Sequence, residues 1–385
     1  LTTTIRFVII GHWKKQNGFF ILVNLKFFVV RKQVFMLESV AYDRENHLLK
    51  LLDQTRLPVE AVQIDCNNEH ETADAIKSMK VRGAPAIGVA AAYGIVLGLR
   101  NKQNHNRPFT ESLETICNLL AATRPTAVNL FWAIKRIKTL LREKNCTDFV
   151  QGAEIALNEA DKIKKEDIEM CRKIGHFGAN LLKDGETWLT HCNAGAIATA
   201  GYGTALGVFR AAKEQGKKFK VFVDETRPLL QGARLTAWEL IEDGIDATLI
   251  CDNMAGSLIH DFKVQAIVVG ADRITSKGFV ANKIGTYPLA VMAKYHGIPF
   301  YVAAPASTFD MSLSYADEIK IEERDPKELK FIGDKQIAPL NAKVYNPAFD
   351  VTPPELITAI ITDRGIIKPI YKETIPAVIT AEETS

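Results

Sequence analysis

The sequence predicts an α/β protein, with a mainly helical N-terminal domain followed by a second domain built on a buried parallel sheet. Three observations carry this reading. The chain has 385 residues, long for a single hydrophobic core. From about residue 84 to 182 its apolar positions recur with the period of a helix. After Gly185 short apolar runs of strand length alternate with helical stretches, the pattern of βαβ units whose strands are covered on both faces.

The elements follow in chain order. Residues 1–35 are basic and free of carboxylates, and their apolar run Phe19–Val30 is interrupted by Asn24 and Lys26. That run falls short of the roughly 18 to 20 continuous apolar residues a membrane-spanning helix needs, and no small-x-small cleavage site follows it. Because Met36 opens a stretch of ordinary globular composition, residues 1–35 are read as a non-native or upstream leader. A short strand, Ala61–Cys66, precedes the helical stretches Ala84–Leu99, Thr110–Ala122, Thr126–Glu143 and Phe149–Leu182. The first is small and apolar, with Gly88, Gly94 and Gly98 suited to close packing. The last carries a charged face from Asp161 to Asp167, and the domain boundary is expected there, at residues 160–161. Beyond it the expected strands are Trp188–His191, Val221–Val223, Ala247–Ile250, Ala266–Val269 and Phe300–Ala304. The helices expected between them are clearest at Ala196–Glu214, Gln231–Glu242 and Leu289–His296.

Composition narrows the function class. The chain is 47% hydrophobic and 24% charged, as in ordinary globular proteins. A net charge of +3 is too small to argue for a nucleic-acid or membrane partner. Its basic excess sits in the leader, and the rest is mildly acidic. The six cysteines form no CxxC pair and no zinc-like spacing, so neither a metal site nor a disulfide framework is predicted, and a reducing cytoplasmic setting is expected.

Ligands of open parallel sheets bind beyond the carboxyl ends of the strands. Five expected strands end in polar sequence: Cys192-Asn193-Ala194-Gly195, Asp224-Glu225-Thr226-Arg227, Cys251-Asp252-Asn253, Gly270-Ala271-Asp272-Arg273 and Pro305-Ala306-Ser307-Thr308. On residues alone Cys192 is either a buried inert cysteine or a thiolate favoured by the helix start expected after it. Asp272 is either a structural partner of Arg273, a helix cap, or an acid whose pKa is raised under apolar cover. A thiol and a carboxyl facing each other can move a proton between adjacent carbons. Arg82-Gly83-Ala84-Pro85 places a guanidinium and a glycine ahead of a helix with proline in its first turn, an anion receptor by construction. Gly201-Tyr202-Gly203 has the wrong spacing for a dinucleotide fingerprint, so no nicotinamide or flavin cofactor is predicted. His191 neighbours Cys192, but adjacent strand residues point to opposite faces, which argues against a Cys–His dyad.

Several longer segments carry a family resemblance. They are Val81-Arg82-Gly83-Ala84-Pro85-Ala86-Ile87-Gly88, Arg124-Pro125-Thr126-Ala127-Val128-Asn129-Leu130 and Thr190-His191-Cys192-Asn193-Ala194-Gly195. Glu225-Thr226-Arg227-Pro228, Gln231-Gly232-Ala233-Arg234-Leu235-Thr236, Gly270-Ala271-Asp272-Arg273-Ile274 and Asn282-Lys283-Ile284-Gly285-Thr286 continue the series. Together they resemble the methylthioribose-1-phosphate isomerases of methionine salvage, a family akin to regulatory subunits of the translation-initiation exchange factor. The resemblance covers about residues 36–372. It implies a helical domain over 36–160, a Rossmann-like catalytic domain over 161–372 and a tail over 373–385. It also implies a cofactor-free and metal-free homodimer acting on a small phosphorylated sugar. The family's catalytic pair falls on Cys192 and Asp272, and its substrate-binding positions fall on Arg82, Gly83, Ala84, Arg124, Gln231, Asn282 and Lys283.

The reaction so implied converts 5-methylthio-ribose 1-phosphate to 5-methylthio-ribulose 1-phosphate. Asp272 would protonate the ring oxygen, and Cys192, as thiolate, would carry a proton from C2 to C1; a direct C2-to-C1 hydride shift is the other route. A ribose-1,5-bisphosphate isomerase and a non-catalytic regulatory subunit of translation initiation are the alternative functions.

Overall fold

The computed structural model describes residues 38–124, 127–369 and 371–379. The expected leader and residues 380–385 of the expected tail lie outside these residues, as do Pro125 and Thr126 of one quoted motif. The described chain opens with an antiparallel sheet of β1 (Val40–Asp43), β2 (Leu48–Leu52) and β3 (Gln63–Cys66). Only the last of these strands was legible in the sequence.

Four helices and part of a fifth then build the first core. The helix α1 (Glu69–Lys77) is capped by Asn68, whose side chain accepts the Glu71 amide. At the centre lies α2 (Ala84–Arg100), buried at every position from Ala86 to Leu99. A helix apolar all round needs neighbours on every side. They are α1, α3 (Phe109–Ala121), α4 (Val128–Glu143) and α5 (Phe149–Ala179). The helix α5 runs unbroken through residues 160–161. Its Ala153, Ala156, Leu157, Ala160 and Ile163 join the first core, while Ile174 and Ala179 join the core of the sheet that follows.

That sheet has seven strands: β4 (Thr187–Thr190), β5 (Lys220–Asp224), β6 (Asp246–Ile250), β7 (Ala266–Val269), β10 (Phe300–Ala303), β15 (Ala359–Thr362) and β16 (Gly365–Ile367). Its order is β16-β15-β10-β7-β4-β5-β6, parallel throughout except for the antiparallel edge strand β16. The chain builds outward from β4 to β6 and then returns to the other side of β4 with β7. This is the doubly wound order, and it puts the topological switch point between β4 and β7. Covering helices include α6 (Ala205–Glu214), α7 (Ala237–Glu242), α8 (Ala255–His260) and α9 (Thr286–His296).

A second sheet of order β11-β8-β9-β14 had no counterpart in the sequence reading. It contains β8 (Arg273–Thr275), β9 (Val280–Lys283), β11 (Phe309–Asp310) and β14 (Phe349–Thr352). A short helix α10 (Lys327–Lys330), a hairpin of β12 (Phe331–Ile332) and β13 (Lys335–Gln336), and a final helix α11 (Tyr371–Ile379) complete the described chain. Among the described residues no helix is long and apolar enough to cross a membrane.

One expected helix needs correction. Ala196–Glu214 is not continuous: a 3-10 turn covers Ala196–Ala198, and the α-helix begins only at Ala205. Gly201 (φ 156°) and Gly203 (φ 85°) take backbone angles outside the helical range, and the intervening loop is buried. Helix α7 is preceded by a π turn over Gly232–Thr236. There the backbone lies so close to β5 that a Cβ on Gly232 would fall on the Asp224 carbonyl oxygen. Substituting Gly232→Ala is therefore expected to destabilise the fold by about 1–3 kcal/mol, the usual range for overpacking. A urea unfolding midpoint equal to that of the wild type would contradict this packing.

Candidate active site

Parallel strands of matched register deliver their carboxyl ends to one rim, and the switch point opens a crevice in it. Leu189 of β4 pairs with Ile267 of β7, so Cys192 and Asp272 leave adjacent strands on the same side. The loops after the two strands touch: a Cβ on Gly270 would lie 2.7 Å from that of Ala194.

Cys192 leaves β4 in the left-handed region, with φ 64°. A non-glycine residue held there costs of order 1–3 kcal/mol and persists only where its surroundings enforce it. The enforcement is visible. The Cys192 amide donates to Thr226 Oγ1 at 2.8 Å, and the Thr236 hydroxyl donates to the Cys192 carbonyl at 2.6 Å. Thr226 is itself left-handed, with φ 62°. Its hydroxyl donates to the Asp224 carbonyl at 3.1 Å, and its amide and that of Arg227 each donate to the Asp252 carboxylate at 2.7 Å.

Asp272 sits ahead of β8, its amide donating to the Ala281 carbonyl at 2.9 Å. Neither structural alternative raised by the sequence applies. Arg273 pairs instead with Asp310 at 3.1 Å, and the element that follows is a strand rather than a helix.

Of the remaining candidates, Arg82, Gly83, Arg124 and Lys283 approach Cys192, Asp272 or the loops that carry them. Gly83, with φ 95°, caps α2 and is pressed on the loop after Cys192, where a Cβ would overlap the Ala198 carbonyl oxygen. That contact carries Arg82 and Ala84 to the rim. Arg82 Nη2 reaches the carbonyl and side-chain oxygens of Asn193, both at 3.4 Å. Lys283, at the end of β9, donates to the Ala348 carbonyl at 2.8 Å and lies 4.7 Å above the Phe349 ring. Arg82 and Lys283 lie within electrostatic range of both Cys192 and Asp272, and Arg124 lies within range of Asp272. Gln231 opens the helix after β5 and is buried, with Oε1 lacking a partner among the described residues. Asn282 is buried and donates to Thr286 Oγ1 at 3.0 Å; no hydrogen bond joins it or Gln231 directly to the other candidates.

The electrostatics correct one expectation. Burial pushes the Cys192 thiol above its ordinary value, Arg82 and Lys283 oppose that shift, and Asp272 reinforces it. No helix start follows directly to favour the thiolate, since α6 begins only at Ala205. Enclosure by protein likewise raises Asp272, against the pull of Lys283, Arg82 and Arg124. Its side chain is nonetheless exposed to the crevice. We take the upward direction as the property of a filled crevice, because a ligand would displace the water that now reaches the carboxyl. Burial lowers Arg124 within the guanidinium range, where it remains a cation.

The partners of three groups had no signal in the sequence. Glu239, 3% exposed, accepts the Asn193 side-chain amide at 2.7 Å, the Ala196 amide at 2.7 Å and Arg210 at 2.8 Å, fixing the turn after Cys192. Thr226 and Thr236 hold Cys192 itself. His191 turns its ring to Asp224 and the Ile284 carbonyl, as strand alternation requires. The partners lie tens of residues apart, beyond the reach of any local pattern. His191, Asp224 and Asp252 also bring ligand-type atoms within 4.8 Å of one another. Both ring nitrogens and both Asp252 oxygens are already hydrogen-bonded, which makes the group a clamp rather than an open ligand set. A separate cavity of about 710 Å³, lined by His47, His70, Arg100 and His105 among others, contains none of the candidate residues.

The electrostatic reading predicts that alkylation of Cys192, followed by mass spectrometry of its peptide, has a midpoint above the ordinary thiol value of about 8.5. Arg82→Gln is expected to raise it further by removing a cation. A midpoint below that value would contradict the burial argument.

Comparison with known proteins supplies the family. The profile of the initiation factor 2 subunit family matches residues 80–369. Over 338 residues the chain is 60% identical to the methylthioribose-1-phosphate isomerase of Carboxydothermus hydrogenoformans, covering 87% of this chain and 97% of that protein. It is 54% identical over 343 residues to the methylthioribose-1-phosphate isomerase of Thermotoga maritima, covering 89% and 99%. The solved 5-methylthioribose 1-phosphate isomerase of Pyrococcus horikoshii superposes with a TM-score of 0.84 at 44% identity, over 90% of this chain and 96% of that one. A structure described as the eIF-2B delta subunit of A. fulgidus gives 0.81 at 51% identity, over 90% and 100%. With a matched profile, a shared fold and this identity over nearly the whole of its relatives, the chain belongs to the initiation factor 2 subunit family and, within it, to the methylthioribose-1-phosphate isomerases.

Proposed function

We propose that the protein converts 5-methylthio-ribose 1-phosphate to 5-methylthio-ribulose 1-phosphate in methionine salvage, with Cys192 and Asp272 as the acid–base pair. The observation that carries this reading is the shared environment of the pair at the switch point. Two groups that each hold or release a proton face the same two cations, Arg82 and Lys283.

The chemistry follows from the substrate. Phosphate on the anomeric carbon prevents spontaneous opening to an aldehyde, so an acid must protonate the ring oxygen as its bond to C1 breaks. Arg82, Arg124 and the amino end of α2 at Gly83 and Ala84 form the phosphate site. Gln231, with its unpartnered buried oxygen, and Asn282 and Lys283 meet the sugar hydroxyls. The two cations favour a pair that carries one proton and one negative charge. The thiol holds that proton at rest, and the reactive form moves it to the carboxyl. Asp272 then protonates the ring oxygen while Cys192 takes the proton from C2, leaving an enol phosphate. Cys192 returns its proton to C1, and the C2 hydroxyl gives its proton to Asp272 as the ketone forms. Both groups end as they began, and no external oxidant or reductant is consumed.

The same proposal includes a helical domain over 36–160 that supplies phosphate ligands, a catalytic domain over 161–372, a homodimer and a cytoplasmic setting. A regulatory role in translation initiation is the second reading, raised by the 51% identity to a structure bearing that description. A turnover assay separates the two: we expect product from methylthioribose 1-phosphate in preference to ribose 1,5-bisphosphate. Cys192→Ser and Asp272→Asn should fold and lose at least about 1,000-fold in kcat, within the range of general acid–base catalysis. Absence of turnover by the wild type would defeat the reading.

The pH profile gives a second test. The pair must hold one proton, so kcat, which reports the filled site, should fall as pH drops through the Asp272 limb and as it rises through the Cys192 limb. Both limbs lie above the ordinary values of their groups, because burial raises the thiol and a filled crevice raises the carboxyl. A flat profile across this range would contradict the pair.

A further inference from the structure

We infer that the buried His191–Asp224 pair is a positioning clamp for this reaction, fixing the Cys192 turn against the Lys283–Ile284 turn. The inference rests on the isomerase reading for its kinetic consequence but not for its structural one.

His191 is 2% exposed and Asp224 1%. The ring Nε2 lies 2.9 Å from the Ile284 carbonyl, and Nδ1 lies 2.9 Å from Asp224 Oδ2. A carbonyl has no proton to give, so Nε2 is the donor in the first contact. The second contact also needs a proton, since an imidazole lone pair facing a carboxylate lone pair would repel it. Two protons therefore reside in the pair. Three carboxylates act on the ring: Asp224 from β5, Asp252 from the turn after β6 and Asp350 from β14, with Glu225 acting on Asp224. Burial alone would strip the charge from the imidazole, but Asp224 outweighs it and holds the ring protonated above its ordinary range.

The bonds join three chain segments of the proposed site. His191 is bonded to Cys192 in sequence, Ile284 to Lys283, and Asp224 precedes the Thr226 whose hydroxyl holds the Cys192 amide. Gly285, with φ 104°, lets the third segment pass over the ring, where a Cβ would meet His191 Cε1 at 2.8 Å. The imidazolium thus ties the strand that carries the thiol to the strand that carries the cation. It bonds no group that reacts, so its role is one of positioning.

The test uses the full chain labelled with ¹⁵N-histidine. We expect one histidine, assigned by its loss in His191→Gln, to show two protonated ring nitrogens at its ordinary midpoint of about pH 6.5 in the wild type and to lose that signature in Asp224→Asn. A neutral His191 tautomer at that pH, or a shift of its Nδ1 signal on adding zinc ion, would overturn the clamp. In the kinetic arm Asp224→Asn and His191→Gln, both checked for folding by circular dichroism and melting, should lower kcat about 10- to 100-fold with KM changed less than about threefold. Unchanged kcat in a folded variant would overturn the positioning role. Should the wild type itself fail to turn over methylthioribose 1-phosphate, the isomerase reading falls while the NMR result still decides the clamp.

Discussion

The way the chain leaves β4 constrains everything around it. Cys192 adopts a left-handed conformation that no bulky residue takes without compensation, and two threonine hydroxyls supply it from separate elements. Thr226 comes from the end of β5 and Thr236 from the π turn ahead of α7. Gly232 allows that turn to press against β5, and Glu239 in α7 grips the chain again at Asn193 and Ala196. A single strained residue is thus over-determined by hydrogen bonds. The reward is a thiol within electrostatic range of Arg82, Lys283 and Asp272.

The helical part contributes more than a scaffold. Its central helix, buried on every face, is anchored firmly enough that its amino end can present Arg82 and Gly83 to the loop after Cys192. Because α5 belongs to both cores, a shift between them would have to bend a continuous helix. The proposed phosphate site and the proposed acid–base pair would therefore keep their spacing, as an isomerase that holds its substrate through ring opening requires.

Much of this was legible because parallel strands are short apolar runs and their ends are where ligands bind. Trp188 to Val269 could be parsed that way, and Cys192 and Asp272 fell at two of the ends. What the sequence hid has a common cause in distance. The strands β8 and β9 are three and four residues long, mix polar and apolar positions, and are held by partners far along the chain, β9 by β14 and β8 by β11. The loop at 199–204 reads as helix by composition, and an extended Thr199 with the angles of Gly201 and Gly203 breaks it. Of the two readings open for Cys192, the thiolate one leaned on a helix start that the chain delays to Ala205. The His191–Asp224 contact spans 33 residues and the His191–Ile284 contact 93, beyond any local motif.

The acid–base role of the pair is tested most directly by isotope exchange at the carbon that receives the proton. The reaction is run in D₂O and the product examined by NMR for deuterium at C1. Proton carriage by Cys192 predicts loss of turnover in Cys192→Ser and solvent deuterium at C1 in those turnovers where the protonated thiol exchanges with water before it gives its proton to C1. Complete retention of the original C2 hydrogen at C1, with undiminished turnover when Cys192 is replaced by serine, would contradict it.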